Sequence, residues 1–197
     1  MKIYDRTYFD RWYRDPREAV TTRHGLERKV RMVIALTEYL LGRRLGTVLD
    51  VGCGEAPWYP LLRRLRREVR YIGVDSSEYV LARFGASRHI RRGGIADLES
   101  MRLPRRFDLI VCADVLQYID TPDVVRGLRS IRKRLGGLAY IEAFATEDAM
   151  VGDRNGWHER SAAQYRSLFH QAGLRQCGPY CYVDPDELDT LNALEHL

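Results

Sequence analysis

Short apolar runs alternate with amphipathic helical patterns from residue 26 onward, and this alternation constrains the fold more than any other feature. The clearest apolar runs are 47–51, 71–75, 107–112 and 138–141, with a weaker one near 88–92. The stretch 26–42 places its apolar side chains at helical spacing. Strands that alternate with helices in this way are typical of βαβ units. We therefore predict an α/β fold with a doubly wound, mostly parallel sheet flanked by helices.

Turn and capping residues mark where the other elements begin and end. Ser76 or Ser77 can cap a helix that Gly85 ends, and Ser161 with Gln164 forms a capping box for a later helix. A helix is predicted from Thr121-Pro122 to Gly136-Gly137. The stretch 174–183 reads as a strand that Gly178-Pro179 interrupts. A last helix is predicted to start at Asp184-Pro185 and to carry Leu188, Leu191 and Leu194. The tail is therefore predicted to lack one continuous strand.

The 197 residues suit one domain, which we place at 26–197, preceded by an N-terminal lid segment at 1–25. Charged residues make up 30% of the chain, which is a globular composition. We find neither an apolar run of about 18 residues nor the apolar core of a signal peptide, so we expect a cytoplasmic protein without a membrane span. Four scattered cysteines do not suit a disulfide scaffold. We expect a monomer or weak dimer.

The formal charge of +5 raises nucleic acid as a partner. The 32 basic residues include only Lys2, Lys29 and Lys133 as lysines, so arginine dominates. Many of the arginines fall on outer helix faces, as the group at 63–67 does, and such charge runs are usually solvated surface. Nucleic acid binding therefore stays possible but is the less favoured reading.

The loop Asp50-Val51-Gly52-Cys53-Gly54 follows the first strand and precedes a helix. Glycines there let the backbone approach a ligand closely. The dinucleotide-binding fingerprint counted from Gly52 would need a small residue where Pro57 stands. Asp50, two places before Gly52, suits a ligand with an ammonium group rather than a pyrophosphate. Both observations argue against a dinucleotide as the ligand. Asp75 ends the second strand, where a carboxylate can accept both hydroxyls of a ribose.

At this point the sequence resembles the class I S-adenosylmethionine-dependent methyltransferases, and within that class it is most similar to small stand-alone enzymes that act on small molecules. VLDVGCGEAPW (48–58) is similar to their first motif, YIGVDSSEYV (71–80) to the second and GGIADLES (93–100) to the third. FDLIVCADVLQYI (107–119) and RKRLGGLAYIEAF (132–144) are similar to the fourth- and fifth-strand regions. The resemblance implies a Rossmann-like sheet of order 3-2-1-4-5-7-6 with an antiparallel last strand, and S-adenosyl-L-methionine as cofactor.

The resemblance also implies the cofactor-binding residues. The methionine part would be held by Asp50, Gly52, Cys53 and Gly54, the ribose by Asp75, and the adenine by Ser76 with Ile95, Ala96 or Asp97. Ala113 and Asp114 would lie beside the sulfonium. The sequence departs from the usual motifs at Ala56, where a third glycine is common, and at Gly94, where an acidic residue is common.

Candidates for acceptor contact come from two regions outside these motifs. The N-terminal stretch carries five aromatic residues within 4–13, including Trp12 and Tyr13, which either form a lid over the cofactor or pack on the domain. The second region is the pair of loops after the fourth and fifth predicted strands, because open α/β sheets bind their ligands at such strand ends. The first loop carries Gln117 and Tyr118, and the second carries Trp157 and His158. His158 and Tyr118 are the catalytic candidates. The alternative for His158 is a solvated loop side chain, and the alternative for Tyr118 is a side chain that packs beneath the strand.

The favoured function is methyl transfer to an oxygen or nitrogen of a small-molecule acceptor. Two alternatives stay open: an RNA methyltransferase, which the charge supports, and a catalytically silent scaffold that binds the cofactor. We predict no metal site, because the Cys177-x-x-x-Cys181 pair lacks a second pair at zinc spacing.

Overall fold

The computed structural model describes residues 3–15, 17, 22–149, 153–186, 192 and 195. Its helices are α1 (Arg6–Phe9), which continues as a π-helical turn at Asp10–Arg14, α2 (Arg23–Leu41), α3 (Trp58–Leu65), α4 (Glu78–Phe84), α5 (Thr121–Arg134) and α6 (Ala162–Gln171). Its strands are β1 (Thr47–Val51), β2 (Arg70–Asp75), β3 (Ile90–Arg92), β4 (Phe107–Ala113), β5 (Leu135–Glu142), β6 (Arg175–Gly178) and β7 (Cys181–Val183). Short 3₁₀ turns lie at Ile95–Asp97 and Leu116–Tyr118.

The strands form one seven-stranded sheet in the order β3-β2-β1-β4-β5-β7-β6. The β1–β2, β1–β4, β2–β3 and β4–β5 pairs are parallel, and β7 runs antiparallel to both β5 and β6. The predicted fold class, strand order and antiparallel last strand are therefore confirmed. The seventh strand is present: Gly178 is the last residue of β6, and Pro179 and Tyr180 form the tight turn that joins it to β7.

Apolar side chains cover both faces of the sheet. Val30 and Val33 of α2 pack with Leu62 of α3 in one buried cluster, and Leu128 of α5 packs with Phe169 of α6 in the other. Helices on both faces of parallel strands explain why the central strands read as continuous apolar runs. Within the described residues, no helix is long and apolar enough to cross a membrane.

Two sequence predictions need comment. Gly136-Gly137 does not end α5, since the helix ends at Arg134 and both glycines lie inside β5. The physical reason is the closeness of β4: a Cβ on Gly137 would lie 2.4 Å from the Asp108 carbonyl oxygen. The helix predicted from Asp184-Pro185 falls on 187–191 and 193–194, which lie outside the described residues.

Candidate cofactor and acceptor site

The carboxyl ends of four neighbouring strands carry acidic residues. Asp50 lies near the end of β1, Asp75 ends β2, Asp114 follows β4 and Glu142 ends β5. The strand order reverses between β1 and β4, and open α/β sheets bind ligands outside the carboxyl ends at such a switch point. We therefore locate the candidate site at this edge of the sheet.

The glycine loop after β1 adopts left-handed backbone angles, which favour glycine. Gly52 and Gly54 have φ angles of 66° and 53°, and Ala56 has φ of 54°. The Gly52 amide donates to the Val74 carbonyl at 2.7 Å, which fastens the loop to β2. A Cβ on Gly52 would lie 2.3 Å from Val115 Cγ2. Backbone strain and close packing together explain glycine at this position.

Asp75 links the loop to the end of β2. Its Oδ2 accepts the Gly54 amide at 2.7 Å and its Oδ1 accepts the Ser77 amide at 2.8 Å. Burial raises the pKa of this carboxyl, and the backbone hydrogen bonds counteract that rise. Ser77, not Ser76, caps α4, so the exposed Ser76 side chain is left without a capping role.

Asp50 is only 3% exposed and accepts a hydrogen bond from the Tyr71 hydroxyl at 2.7 Å. Burial raises the pKa of Asp50 to about 7, while the Tyr71 hydrogen bond favours the charged form. Cys53 is buried beside it, and burial raises the pKa of its thiol well above the usual value. Cys53 therefore belongs to the loop as a packed thiol and through its backbone, not as a nucleophile.

The predicted adenine-binding stretch forms the short 3₁₀ turn Ile95–Asp97. Asp97 Oδ2 accepts the Gly94 amide at 2.8 Å, so the carboxylate stabilises its own turn while remaining exposed. Ile95 is buried against Gly127, whose added Cβ would lie 2.3 Å from Ile95 Cγ1. Ala96 is half-buried at the same turn.

Asp114 follows Ala113, the last residue of β4, and has a left-handed backbone with φ of 60°. Among the described residues its Oδ1 atom is buried without a hydrogen-bond partner. Burial and the charge of Glu142 raise the pKa of Asp114 to about 6, and Lys29 opposes that rise. A non-glycine residue held in this conformation with an unpaired buried oxygen is typical of a functional position.

Lys29 and Glu142 form an ion pair next to Asp114. The Lys29 ammonium donates to both Glu142 carboxylate oxygens, and the Tyr140 hydroxyl donates to Glu142 Oε2 at 2.9 Å. The Asp114 amide donates to the Glu142 carbonyl at 2.9 Å. Glu142 ends a strand as Asp75 does, so its position is a signal that the sequence carries, but nothing in the sequence indicates Lys29 as its partner.

The loop 153–160 lies against the 3₁₀ turn Leu116–Tyr118. The Tyr118 hydroxyl donates to the Asp153 carbonyl and the His158 amide donates to the Gln117 carbonyl, both at 2.7 Å. Gln117 is 1% exposed, and Gln117 Oε1 and Trp157 Nε1 are buried without partners in the described structure. The His158 side chain is exposed, so its backbone rather than its imidazole joins this contact.

The N-terminal segment, defined as residues 4–14, packs on the glycine loop. Phe9 is 5% exposed, and a Cβ on Gly54 would lie 3.0 Å from Phe9 Cε1. Arg14 forms an ion pair with Glu55, and the Ser77 hydroxyl donates to the Tyr4 carbonyl. The segment holds two acceptor candidates. Burial first, and then the nearby charges of Asp114 and Asp75, raise the pKa of Tyr13. The Arg11 guanidinium lies 4.5 Å from the centroid of the half-buried Trp12 ring.

The fold and the site define a class I methyltransferase domain, a class whose cofactor is S-adenosylmethionine. The sequence profile described as "Methyltransferase domain" matches residues 22–193, and the chain belongs to this family.

One relative and two solved structures are also similar to the chain, and the solved structures share its fold. An uncharacterized protein, syc1184_c, of Synechococcus sp. (strain ATCC 27144 / PCC 6301 / SAUG 1402/1) is 29% identical over 72% of this chain, which spans only 43% of that relative. A SAM-dependent methyltransferase from Archaeoglobus fulgidus superposes with a TM-score of 0.59, at 15% identity over 79% of this chain and 70% of its own. DesVI of Streptomyces venezuelae superposes with a TM-score of 0.61, at 16% identity over 82% of this chain and 91% of its own.

Proposed function

We propose that the chain transfers a methyl group from S-adenosylmethionine to an oxygen or nitrogen of a small-molecule acceptor. The observation that carries this proposal is the position of Asp114, whose buried, unpaired oxygen follows the central strand beside the switch point. A methyl donor bound across that switch point would place its reacting carbon within reach of groups on β4 and β5. When bound, the cofactor supplies an activated methyl group on a positively charged sulfur.

The residues at this edge fit that cofactor. We propose that Asp75 accepts the ribose hydroxyls and that the Gly52-Cys53-Gly54 backbone approaches the methionine part, with Asp50 behind the loop. The adenine would be bordered by Ser76, Ile95, Ala96 and Asp97. The sulfonium would be bordered by Ala113 and Asp114. The buried carboxyls support this assignment, because a cation at the edge would stabilise their charged forms.

The N-terminal segment would act as a lid that excludes water from the transfer site. Supporting this role, Phe9 already covers Gly54, and the Arg14–Glu55 ion pair ties the segment to the loop. A lid that aligns the acceptor and excludes bulk water supplies most of what a methyl donor of this kind needs from a protein. Trp12, Tyr13, Gln117, Tyr118, Trp157 and His158 remain the candidate acceptor contacts.

Two structural features favour a small molecule over RNA. Many arginines are engaged by carboxylates, as in the Arg43–Asp108, Arg66–Glu38 and Arg132–Asp184 pairs, which reduces the charge they present to a phosphate backbone. A cavity of about 350 Å³, lined by residues that include Ala143, Tyr165 and Tyr180, lies between the carboxyl end of β5, α6 and the β6–β7 turn. That volume suits a small ligand.

Two measurements test the proposal. Calorimetry should show binding of S-adenosylmethionine or its demethylated product and little binding of NAD, and labelled methyl groups should pass to small molecules in an acceptor panel. Tight NAD binding without binding of the methionine cofactor would overturn the cofactor assignment. RNA binding that falls steeply with salt in a filter assay, together with methylated RNA, would favour the RNA alternative. Cofactor binding with no turnover on any acceptor would favour the silent scaffold.

A further inference from the structure

Four buried or half-buried carboxyl groups lie at the edge of the sheet that holds the proposed transfer point, in a protein whose overall charge is positive. They belong to Asp50, Asp75, Asp114 and Glu142. Lys29 is engaged by both oxygens of Glu142, so that pair is close to neutral. Asp75 and Asp114 then leave the edge with excess negative charge, and a site of this kind attracts cations.

The unpaired atoms at the same edge add a second, independent indication. Asp114 Oδ1 and Gln117 Oε1 are both hydrogen-bond acceptors, both buried, and both without a donor in the described part of the chain. Only Asp114 and Val115 separate Gln117 from the end of β4. A buried acceptor without a donor costs free energy, which a ligand bearing N–H groups would recover. An ammonium carries several such donors, whereas an alcohol carries one.

We infer that the acceptor is an amine, which binds as an ammonium with its N–H groups directed at Asp114 and Gln117. This inference rests on the proposed function and narrows its substrate class from oxygen or nitrogen to nitrogen.

The reaction balances with the residues present. The bound ammonium gives one proton to the Asp114 carboxylate and becomes a neutral amine with a free lone pair. That lone pair forms the new N–C bond while the electron pair of the S–C bond stays on sulfur. Sulfur thereby loses its positive charge and the nitrogen gains it. Asp114 then releases its proton to solvent.

An amine suits this edge better than a hydroxyl for an electrostatic reason. Attack by oxygen develops through an alkoxide or phenolate, and neighbouring carboxylates oppose that negative charge. The edge already has this effect on its own hydroxyls, because burial and the charges of Asp75 and Asp153 raise the pKa of Tyr4 to about 12. An amine carries positive or zero charge throughout, so the same carboxylates stabilise its bound and product forms.

The aromatic rings of the N-terminal segment fit a cationic ligand as well. Tyr8 contacts Tyr4, Phe9 and Tyr13, with ring centroids 5.0, 5.5 and 6.3 Å apart. Ring faces of tyrosine and phenylalanine attract ammonium groups. Carboxylates on the sheet side and rings on the lid side would thus enclose one cation.

The test measures binding, so that it does not depend on turnover. The protein is saturated with S-adenosylhomocysteine and titrated with benzylammonium, benzyl alcohol and benzoate by calorimetry. We expect benzylammonium to bind at least about 10-fold more tightly than the alcohol, the ratio that one charge-assisted hydrogen bond supplies. We expect the Asp114→Asn variant to bind benzylammonium about 10-fold more weakly than the wild-type protein while still binding S-adenosylhomocysteine.

Glu99→Gln is the matched control, since it removes the same charge from an exposed pair with Lys133, and it should bind benzylammonium as the wild-type protein does. An ammonium that binds no better than the alcohol, or an Asp114→Asn variant with unchanged ammonium affinity, would overturn the inference. The proposed function fails separately, through absent binding of S-adenosylhomocysteine, so the two failures are distinguishable.

Discussion

The amide of Gly54 donates a hydrogen bond across 2.7 Å to Oδ2 of Asp75, which joins the glycine loop after β1 to the carboxylate that ends β2. The same side chain that positions the loop is the one we propose as the acceptor of the ribose hydroxyls. This double role makes Asp75 the most informative residue to replace in the cofactor site.

We expect Asp75→Ala to weaken binding of S-adenosylhomocysteine by about 1.5–3 kcal/mol, the size of hydrogen bonds to a charged group. Calorimetry measures this loss, and the thermal midpoint should show that the domain still folds. Glu78→Ala is the control, because Glu78 is an exposed carboxylate nearby that pairs with Arg92. Equal cofactor affinity in Asp75→Ala and the parent would show that the ribose binds elsewhere.

Asp50 should make stability depend on pH. Its pKa is about 7 in the folded protein against the ordinary 3.8, so the folded state holds its proton more tightly than the unfolded chain does. The free energy of unfolding should therefore fall as pH rises from about 4 to about 7, and this contribution should then level off. Asp50→Asn should flatten that fall in a series of urea titrations.

Tyr71→Phe provides the complementary variant. The Tyr71 hydroxyl favours the charged carboxylate, so its removal should raise the pKa of Asp50 and extend the loss of stability to higher pH. Identical pH profiles for Asp50→Asn and the wild-type protein would contradict the assignment of this dependence to Asp50.

The N-terminal segment should respond to the cofactor. We expect amide hydrogen exchange in residues 4–14 to slow when S-adenosylhomocysteine binds, and deletion of the first 14 residues to reduce turnover while the domain remains folded. Arg14→Gln should give part of the effect, because it removes the ion pair to Glu55 and leaves Phe9 in place. Equal protection with and without ligand would mean that the segment is ordinary packing.

Gly52 should tolerate no side chain. Gly42 offers a matched control, since its φ of +62° is close to the +66° of Gly52 and nothing lies within 4 Å of an added Cβ. Gly42→Ala should cost about 1–2 kcal/mol of stability from backbone strain alone. Gly52→Ala should cost more, because its Cβ would overlap Val115 Cγ2, and adding Val115→Ala should restore part of the difference. Equal losses for both glycines would show that Val115 moves aside freely.

The sequence predicts the fold well where the signal is local. Buried strands, capping residues and the glycine loop are each read from a few neighbouring positions, and the strand order follows from the resemblance. The prediction that Gly136-Gly137 ends α5 is wrong; it rests on the rule that glycine after a helical pattern usually ends the helix. The actual requirement comes from β4, whose Asp108 carbonyl leaves no room for a Cβ at Gly137. Such a contact between strands has no local signature.

The same distinction applies to the site. Asp75 stands out because it ends an apolar run, and Asp114 is implied by the resemblance of 107–119 to the family's fourth-strand motif. The Lys29–Glu142 pair joins α2 to β5 across 113 positions of sequence, so no spacing rule indicates it. The unpaired oxygen of Gln117 is equally invisible in the sequence, because burial depends on how the 153–160 loop folds back over the strand ends.

Helix α5 passes into β5 without an intervening residue, since Arg134 is its last residue and Leu135 is the first of the strand. Because no linker residue separates them, α5 cannot unwind without disturbing β5. We therefore expect β4, α5 and β5 to unfold and refold locally as one cooperative unit. Asp114 and Glu142 lie at the ends of the two strands in that unit. Their spacing should therefore persist through local fraying elsewhere, and an insertion between residues 134 and 135 should disrupt catalysis and folding together.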